Sequence, residues 1–156
     1  MKRLFTVSIC FLLALNLQAQ YKGRVIAIAD GDSFTILREG NKQEKIRLYG
    51  IDCPEKGQPY GRNAKLFLSQ LVFNKEVTII NKGKDRYSRT VAIVYKEGQN
   101  ICEALLKAGL AWHFRRYDQN PVWEALEKQA RVSKKGLWAD PGASEPWLWR
   151  KQGGRR

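Results

Sequence analysis

Ile46-Arg47-Leu48-Tyr49-Gly50-Ile51-Asp52-Cys53-Pro54-Glu55 is the stretch that decides the fold. It opens with strand alternation, Ile46 and Leu48 on one face and Arg47 on the other. A strand does not easily continue through Gly50 or Pro54. One short segment therefore carries a cation, Arg47, and two carboxylates, Asp52 and Glu55, around a single bend. Upstream, Asp30-Gly31-Asp32 is a second acidic bend between two strand-like runs.

Outward from these bends the pattern is regular. Residues 21–29 and 33–38 read as strands flanking the Asp30-Gly31-Asp32 turn, and Glu39-Gly40-Asn41 turns the chain into the third strand. Three strands joined by tight turns form an antiparallel meander. Residues 60–73 change period, with Ala64, Phe67, Leu68 and Leu71 on one helical face. Residues 77–80 and 90–95 read as two more strands, separated by a polar basic loop over residues 81–89. Asn100 with Glu103 three residues on is a helix N-cap, and Gly109 ends that helix. Asn120-Pro121 announces a third, with Trp123, Leu126 and Ala130 inward. The order β-β-β-α-β-β-α-α gives an α+β fold, a small five-stranded barrel of the oligonucleotide-binding (OB) kind with three helices. Residues 141–156 read as an irregular basic tail, frayed or ordered by a partner.

With 156 residues, 44% of them hydrophobic, the chain suits one domain with one core, over residues 20–140. Residues 1–19 stand apart. Lys2 and Arg3 precede an uncharged run, and Leu17-Gln18-Ala19 offers a small residue for cleavage, the pattern of a secretory signal peptide. The run is short of the roughly 20 apolar residues a membrane span needs, so an uncleaved anchor is the weaker alternative. Export to the periplasm or beyond follows, with membrane contact confined to the signal. The formal net charge of +13 draws polyanions, nucleic acid first and anionic membrane second. A basic surface with no special partner is equally compatible with charge alone. After the leader, Cys53 and Cys102 remain, and export permits a disulfide between them, a pairing that needs a proximity the sequence does not supply.

Counting catalytic groups removes most chemistries. His113 is the single histidine, and no Cys-x-x-Cys pair exists, which excludes a structural zinc site. There is no Gly-x-Ser-x-Gly turn and no phosphate loop of the Gly-x-x-x-x-Gly-Lys kind. His113 follows Trp112 in an apolar context and reads as a packed side chain. Carboxylate chemistry remains. Asp32 and Asp52 are hard oxygen donors, suited to calcium or magnesium. Glu55 fits a general base, and Arg47 and Arg89 fit fixed cations for phosphate oxygens. Taken singly, each motif is an ordinary turn or loop. Together, in a basic exported chain, they point to phosphodiester cleavage.

These residues resemble the staphylococcal nuclease (thermonuclease) family. The resemblance rests on Asp30-Gly31-Asp32-Ser33, on Arg47 through Glu55, on Asp85-Arg86-Tyr87-Ser88-Arg89, and on Glu103-Ala104-Leu105 leading to Gly109-Leu110-Ala111, in that order. It implies a five-stranded OB barrel and calcium-dependent, sugar-nonspecific cleavage of DNA and RNA to products carrying a 3′-phosphate. It also implies residue roles: Asp32, Asp52 and the backbone carbonyl of Cys53 as calcium ligands, Glu55 as the base that activates water, and Arg47 and Arg89 as phosphate clamps. Asp30 supports the turn. Arg86, Tyr87, Arg115 and Tyr117 fall on the substrate surface, where rings stack on bases and favour single strands. No protein partner is implied, and a monomer is expected.

The departures are specific. Cys53 replaces a threonine and would put a thiol beside the metal, making activity redox-sensitive. Ser88 stands where the family often has glycine, a substitution that matters if φ is positive there. Arg115 replaces a tyrosine, and the loop after Glu55 is short. Two rival readings are a catalytically silent OB module, which normally lacks some of the five site residues present here, and a basic envelope protein bound to anionic lipid or polysaccharide.

Overall fold

The structure, a computed structural model, describes residues 20–153. The signal-peptide reading of residues 1–19 falls outside them. Strands β1 (Gln20–Ile28), β2 (Ser33–Arg38) and β3 (Lys42–Leu48) form the meander. The two-residue strand β4 (Ile51–Asp52) and helix α1 (Gly61–Val72) follow. Then come β5 (Glu76–Lys84), β6 (Thr90–Lys96), the short β7 (Gln99–Asn100) and α2 (Ile101–Lys107). The chain continues through β8 (Trp112–His113), α3 (Pro121–Val132) and α4 (Pro146–Lys151).

Five strands in the order β3-β2-β1-β5-β6 close into a barrel through a parallel β3–β6 pairing, Ile46 opposite Thr90 and Arg47 opposite Val91. Closure removes the open sheet edges that would otherwise have to be covered. The interior is filled by the inward positions of each strand: Val25, Phe34, Ile36, Ile46, Leu48, Val77, Ile79, Ala92 and Val94 are all buried. Helix α1 covers the barrel with Ala64, Leu68 and Val72, while Phe67 and Leu71 are partly buried at its margin. The Asn100 side chain accepts from the Cys102 and Glu103 N–H groups, so the capping spacing starts α2 where the sequence places it. Asn120 caps α3 in the same way, with Pro121 in its first turn.

Several features differ from the expectations. Strand β5 runs on to Lys84, into the stretch read as a loop over residues 81–89, and the two-residue strands β4, β7 and β8 are additional. Past Asp140 the chain is not irregular throughout. Pro146–Lys151 is a helix, and its Trp147 ring lies flat on Phe114 with centroids 4.8 Å apart and planes 6° from parallel. In α3 the inward set is Trp123, Glu127 and Ala130, with Leu126 only partly buried. Glu127 tolerates burial because it accepts from the His113 N–H at 3.1 Å and from Arg131 at 3.3 Å.

The contact between the two acidic bends is close. A Cβ added at Gly31 would lie 2.6 Å from Ala64 Cβ and 2.7 Å from Cys53 Cβ. No larger residue fits without pushing the Asp30–Asp32 turn off α1 and the Asp52 bend. Gly31→Ala is therefore expected to lower stability by about 1–3 kcal/mol through overpacking. Urea melting of the variant checks this, and an unchanged midpoint would show that the bends have room to separate.

Candidate active site

Strand register gathers the site at one end of the barrel. Ser33 pairs with Arg47 across β2 and β3, and the Leu48 N–H donates to the Asp32 carbonyl at 2.9 Å. The parallel β3–β6 pairing sets Thr90, and with it Arg89, beside the same end. Strand β4 pairs with β8 in a separate two-stranded sheet, Asp52 opposite Trp112, which fixes the backbone of the Asp52 bend. Asp32 Oδ2 accepts the Cys53 N–H at 2.7 Å, so the Asp30–Asp32 bend and the Asp52 bend are joined by a direct charge-assisted hydrogen bond.

Asp52 is fully buried and Asp32 is 5% exposed. Buried carboxylates of this kind must be paired. Arg47 pairs with both. One of its terminal nitrogens contacts Asp32 Oδ1, and the other lies 2.6 Å from Asp52 Oδ1. A single guanidinium thus spans the two aspartates and holds both carboxylates on one side of the bend. Two carboxylates and a neighbouring backbone carbonyl are hard donors that fit calcium, whose remaining ligands would come from water and substrate. Among the described residues no trio of acidic, histidine or cysteine side chains forms a fuller cage.

Glu55 is held by its backbone. Its N–H donates to Gln58 Oε1 at 3.0 Å, and its carbonyl accepts from the Gln58 N–H at 3.0 Å. Gly61 presses on this turn, where a Cβ would come 2.1 Å from the Glu55 carbonyl oxygen. The Glu55 side chain stays one-third exposed and faces the Arg150 guanidinium, which also reaches Asp52 at 2.7 Å. Burial alone would pull the Arg150 pKa down, but hydrogen bonds and charge from Asp52 and Glu55 outweigh it and hold the group above its ordinary value. Arg150 escaped the sequence reading. It lies in a basic terminal stretch, and nothing local signals a partner 98 residues away in the chain.

Arg89 joins the site through Ser33. Its Nη1 donates to Ser33 Oγ at 3.1 Å, and that hydroxyl lies 3.3 Å from Asp32 Oδ1. Its other side is fixed by Asp85, which accepts from Arg89 Nε at 2.7 Å and from the backbone N–H groups of Tyr87 and Arg89. Partial burial raises the Asp85 pKa, but these hydrogen bonds dominate and leave it below the usual carboxylate value. Ser88 adopts φ +60°, so the left-handed turn that a glycine would supply is held here by a serine.

The remaining sequence candidates spread outward. Tyr87 and Tyr117 are about two-thirds exposed, and the Arg86 and Arg89 guanidiniums sit 4.9 and 5.5 Å from the Tyr87 ring centroid. Tyr117 packs edge-on against Phe114, and its carbonyl accepts from the Tyr49 hydroxyl. Arg115 is exposed and pairs with Glu124 of α3 at 3.0 Å. His113 is buried and bonded to Asp118 at 3.0 Å, a packed side chain. Cys53 and Cys102 are free thiols, both buried. Burial pushes the Cys53 pKa well up, so this residue is not the exposed thiolate that redox sensitivity requires.

Asp85 orients Arg89, and its depressed pKa means the contact is intact at neutral pH and is lost only as the pH falls below the ordinary carboxylate range. Asp85→Ala is expected to lower the cleavage rate by up to about 100-fold through misplacement of Arg89. The melting temperature should change little, because Asp85 lies in a loop. Kinetics and melting on the same sample check this, and full activity would remove Arg89 positioning as a requirement.

Sequence comparison bears on the same residues. The family described as staphylococcal nuclease homologue matches residues 45–140, which include Arg47, Asp52, Glu55 and Arg89. An uncharacterized endonuclease of Haemophilus influenzae is 46% identical over 129 residues, covering 83% of this chain and 72% of that protein. A micrococcal nuclease of Shigella flexneri is 35% identical over 161 residues, covering 96% and 91%. A probable staphylococcal-like nuclease of rice, Oryza sativa subsp. japonica, is 44% identical over 110 residues, covering 70% of this chain and 33% of that protein. With the barrel, the joined acidic bends and a match across most of the domain, the chain belongs to the staphylococcal nuclease homologue family.

Proposed function

We propose that the protein is an exported, calcium-dependent nuclease that hydrolyses phosphodiester bonds of DNA and RNA without regard to the sugar. The observation that carries this reading is the single guanidinium of Arg47 spanning Asp32 and Asp52, with Glu55 joined to Asp52 through Arg150. Asp32, Asp52 and the Cys53 carbonyl would hold the ion. Calcium, when bound, supplies positive charge against the phosphate.

The chain's own groups do the rest. Glu55 accepts a proton from a water molecule, whose oxygen attacks phosphorus. The P–O5′ bond breaks, the 5′-oxygen takes up a proton to leave as a hydroxyl, and the phosphate stays on the 3′ side. Arg47 and Arg89 neutralise the non-bridging oxygens, since guanidinium forks match phosphate in pairs and keep their charge. Exposed Tyr87 and Tyr117 offer stacking faces, which favours single strands or frayed ends. Nothing in the proposal requires a second subunit. Export rests on the leader at residues 1–19.

Digestion of an end-labelled single strand, with calcium or with a chelator, tests the reading. Cleavage confined to the calcium arm, with 3′-phosphate ends, is expected, and intact substrate in both arms would contradict it. Glu55→Gln should slow cleavage by about 100- to 10,000-fold, the range for removing a general base. Rates should also fall with added salt as phosphate contacts give up counterion release.

A further inference from the structure

Asp32, Asp52 and Glu55 are linked through two guanidiniums rather than one. Arg47 Nη2 and Arg150 Nη1 contact the same oxygen, Asp52 Oδ1, at 2.6 and 3.3 Å. Arg150 also holds Asp52 Oδ2 at 2.7 Å and reaches Glu55 Oε1 with its other terminal nitrogen. The arginine from the terminal helix therefore occupies the space between the buried aspartate and the proposed general base.

The helix that carries it is seated independently of that arginine. Trp147 stacks on Phe114 and meets the edge of Trp112 at 6.0 Å, and Pro146 is buried. Gln58 ties the approach to α4 directly to the Glu55 turn: its Nε2 donates to the Ser144 carbonyl at 2.7 Å while its Oε1 accepts the Glu55 N–H. Gln58 is itself buried, so this bridge is part of the packed structure. Arg150 is thus delivered to the site by a positioned element.

Its exposure differs from that of its partners. The Arg150 side chain is 44% exposed, whereas the Asp52 side chain is 1% exposed. Both terminal nitrogens are committed to carboxylates, yet nearly half of the side chain stays open to solvent. The ligand that suits a planar, permanently charged fork at that position is a phosphate group. Arg47 makes a comparable carboxylate contact in this structure.

We propose that Arg150 is a third phosphate-binding arginine of the active site, contributed by the C-terminal helix and turned from Asp52 and Glu55 onto the scissile phosphodiester when substrate enters. The assignment rests on the nuclease reading. In the free protein Arg150 sets the spacing of Asp52 and Glu55. In the complex its donors pass to non-bridging oxygens, and the carboxylates it leaves are free for cation and water.

Steady-state cleavage of a labelled single strand at saturating calcium, by wild type, Arg150→Ala, Arg150→Gln and Arg150→Lys, tests this. Arg150→Ala is expected to lower kcat by about 100- to 1,000-fold, the effect of deleting one positioned donor to a developing charge. Lysine should restore part of the loss and glutamine little, so the charge is decisive even where alanine loosens α4. In a Glu55→Gln background, slow enough to measure binding before cleavage, the salt dependence of oligonucleotide affinity should become shallower by about one unit of slope when Arg150 is removed. An active wild type with an Arg150→Ala variant within twofold of it would overturn this assignment alone. A faster variant with a lower calcium requirement would make α4 an inhibitory plug and overturn it too. A wild type that leaves the strand intact would remove the nuclease reading and this one with it.

Discussion

The hydrogen bond from the Cys53 N–H to Asp32 Oδ2, at 2.7 Å, is the contact on which the site depends. It joins two bends that lie 21 residues apart in the chain, and it does so inside the protein, where a carboxylate without partners is costly. Asp32 can be buried because that N–H and Arg47 satisfy it. Asp52 can be buried because Arg47 and Arg150 do the same. Remove the contact between the bends and both aspartates lose the geometry that makes them a pair.

The barrel supplies the framework for that pair. Closure through β3 and β6 is a parallel pairing within an otherwise antiparallel sheet, and it brings the ends of three strands to one rim. Arg47 issues from β3, Ser33 begins β2, and Arg89 immediately precedes β6. Phosphate chemistry needs fixed positive charge more than it needs reactive groups. A rigid rim is suited to hold such charge. The acidic groups hold these arginines in place, and in the proposed reading they also offer oxygens to a cation.

Much of this was legible in the sequence because it is local. Turn chemistry at Asp30-Gly31-Asp32, alternation through Ile46 and Leu48, and the Asn100 and Asn120 caps each depend on neighbours a few residues away. The barrel followed from the order of strands and one helix. What could not be read depends on distant partners. Arg150 resembles any basic residue near a chain end until α4 is seated by Trp147 on Phe114. Glu127 breaks the apolar face of α3 because its partners are the His113 backbone and Arg131. The two-residue strands β4 and β8 carry too few residues for any periodicity, yet their pairing fixes Asp52.

The central claim is that Asp32 and Asp52 form one cation site and not two unrelated surface charges. Titration calorimetry with calcium on the wild type, Asp32→Asn and Asp52→Asn measures this directly, without substrate. One ion bound per wild-type chain, and its loss in each single variant, is the result predicted. Calcium retained by both variants would contradict the account, because the ion would then be held elsewhere.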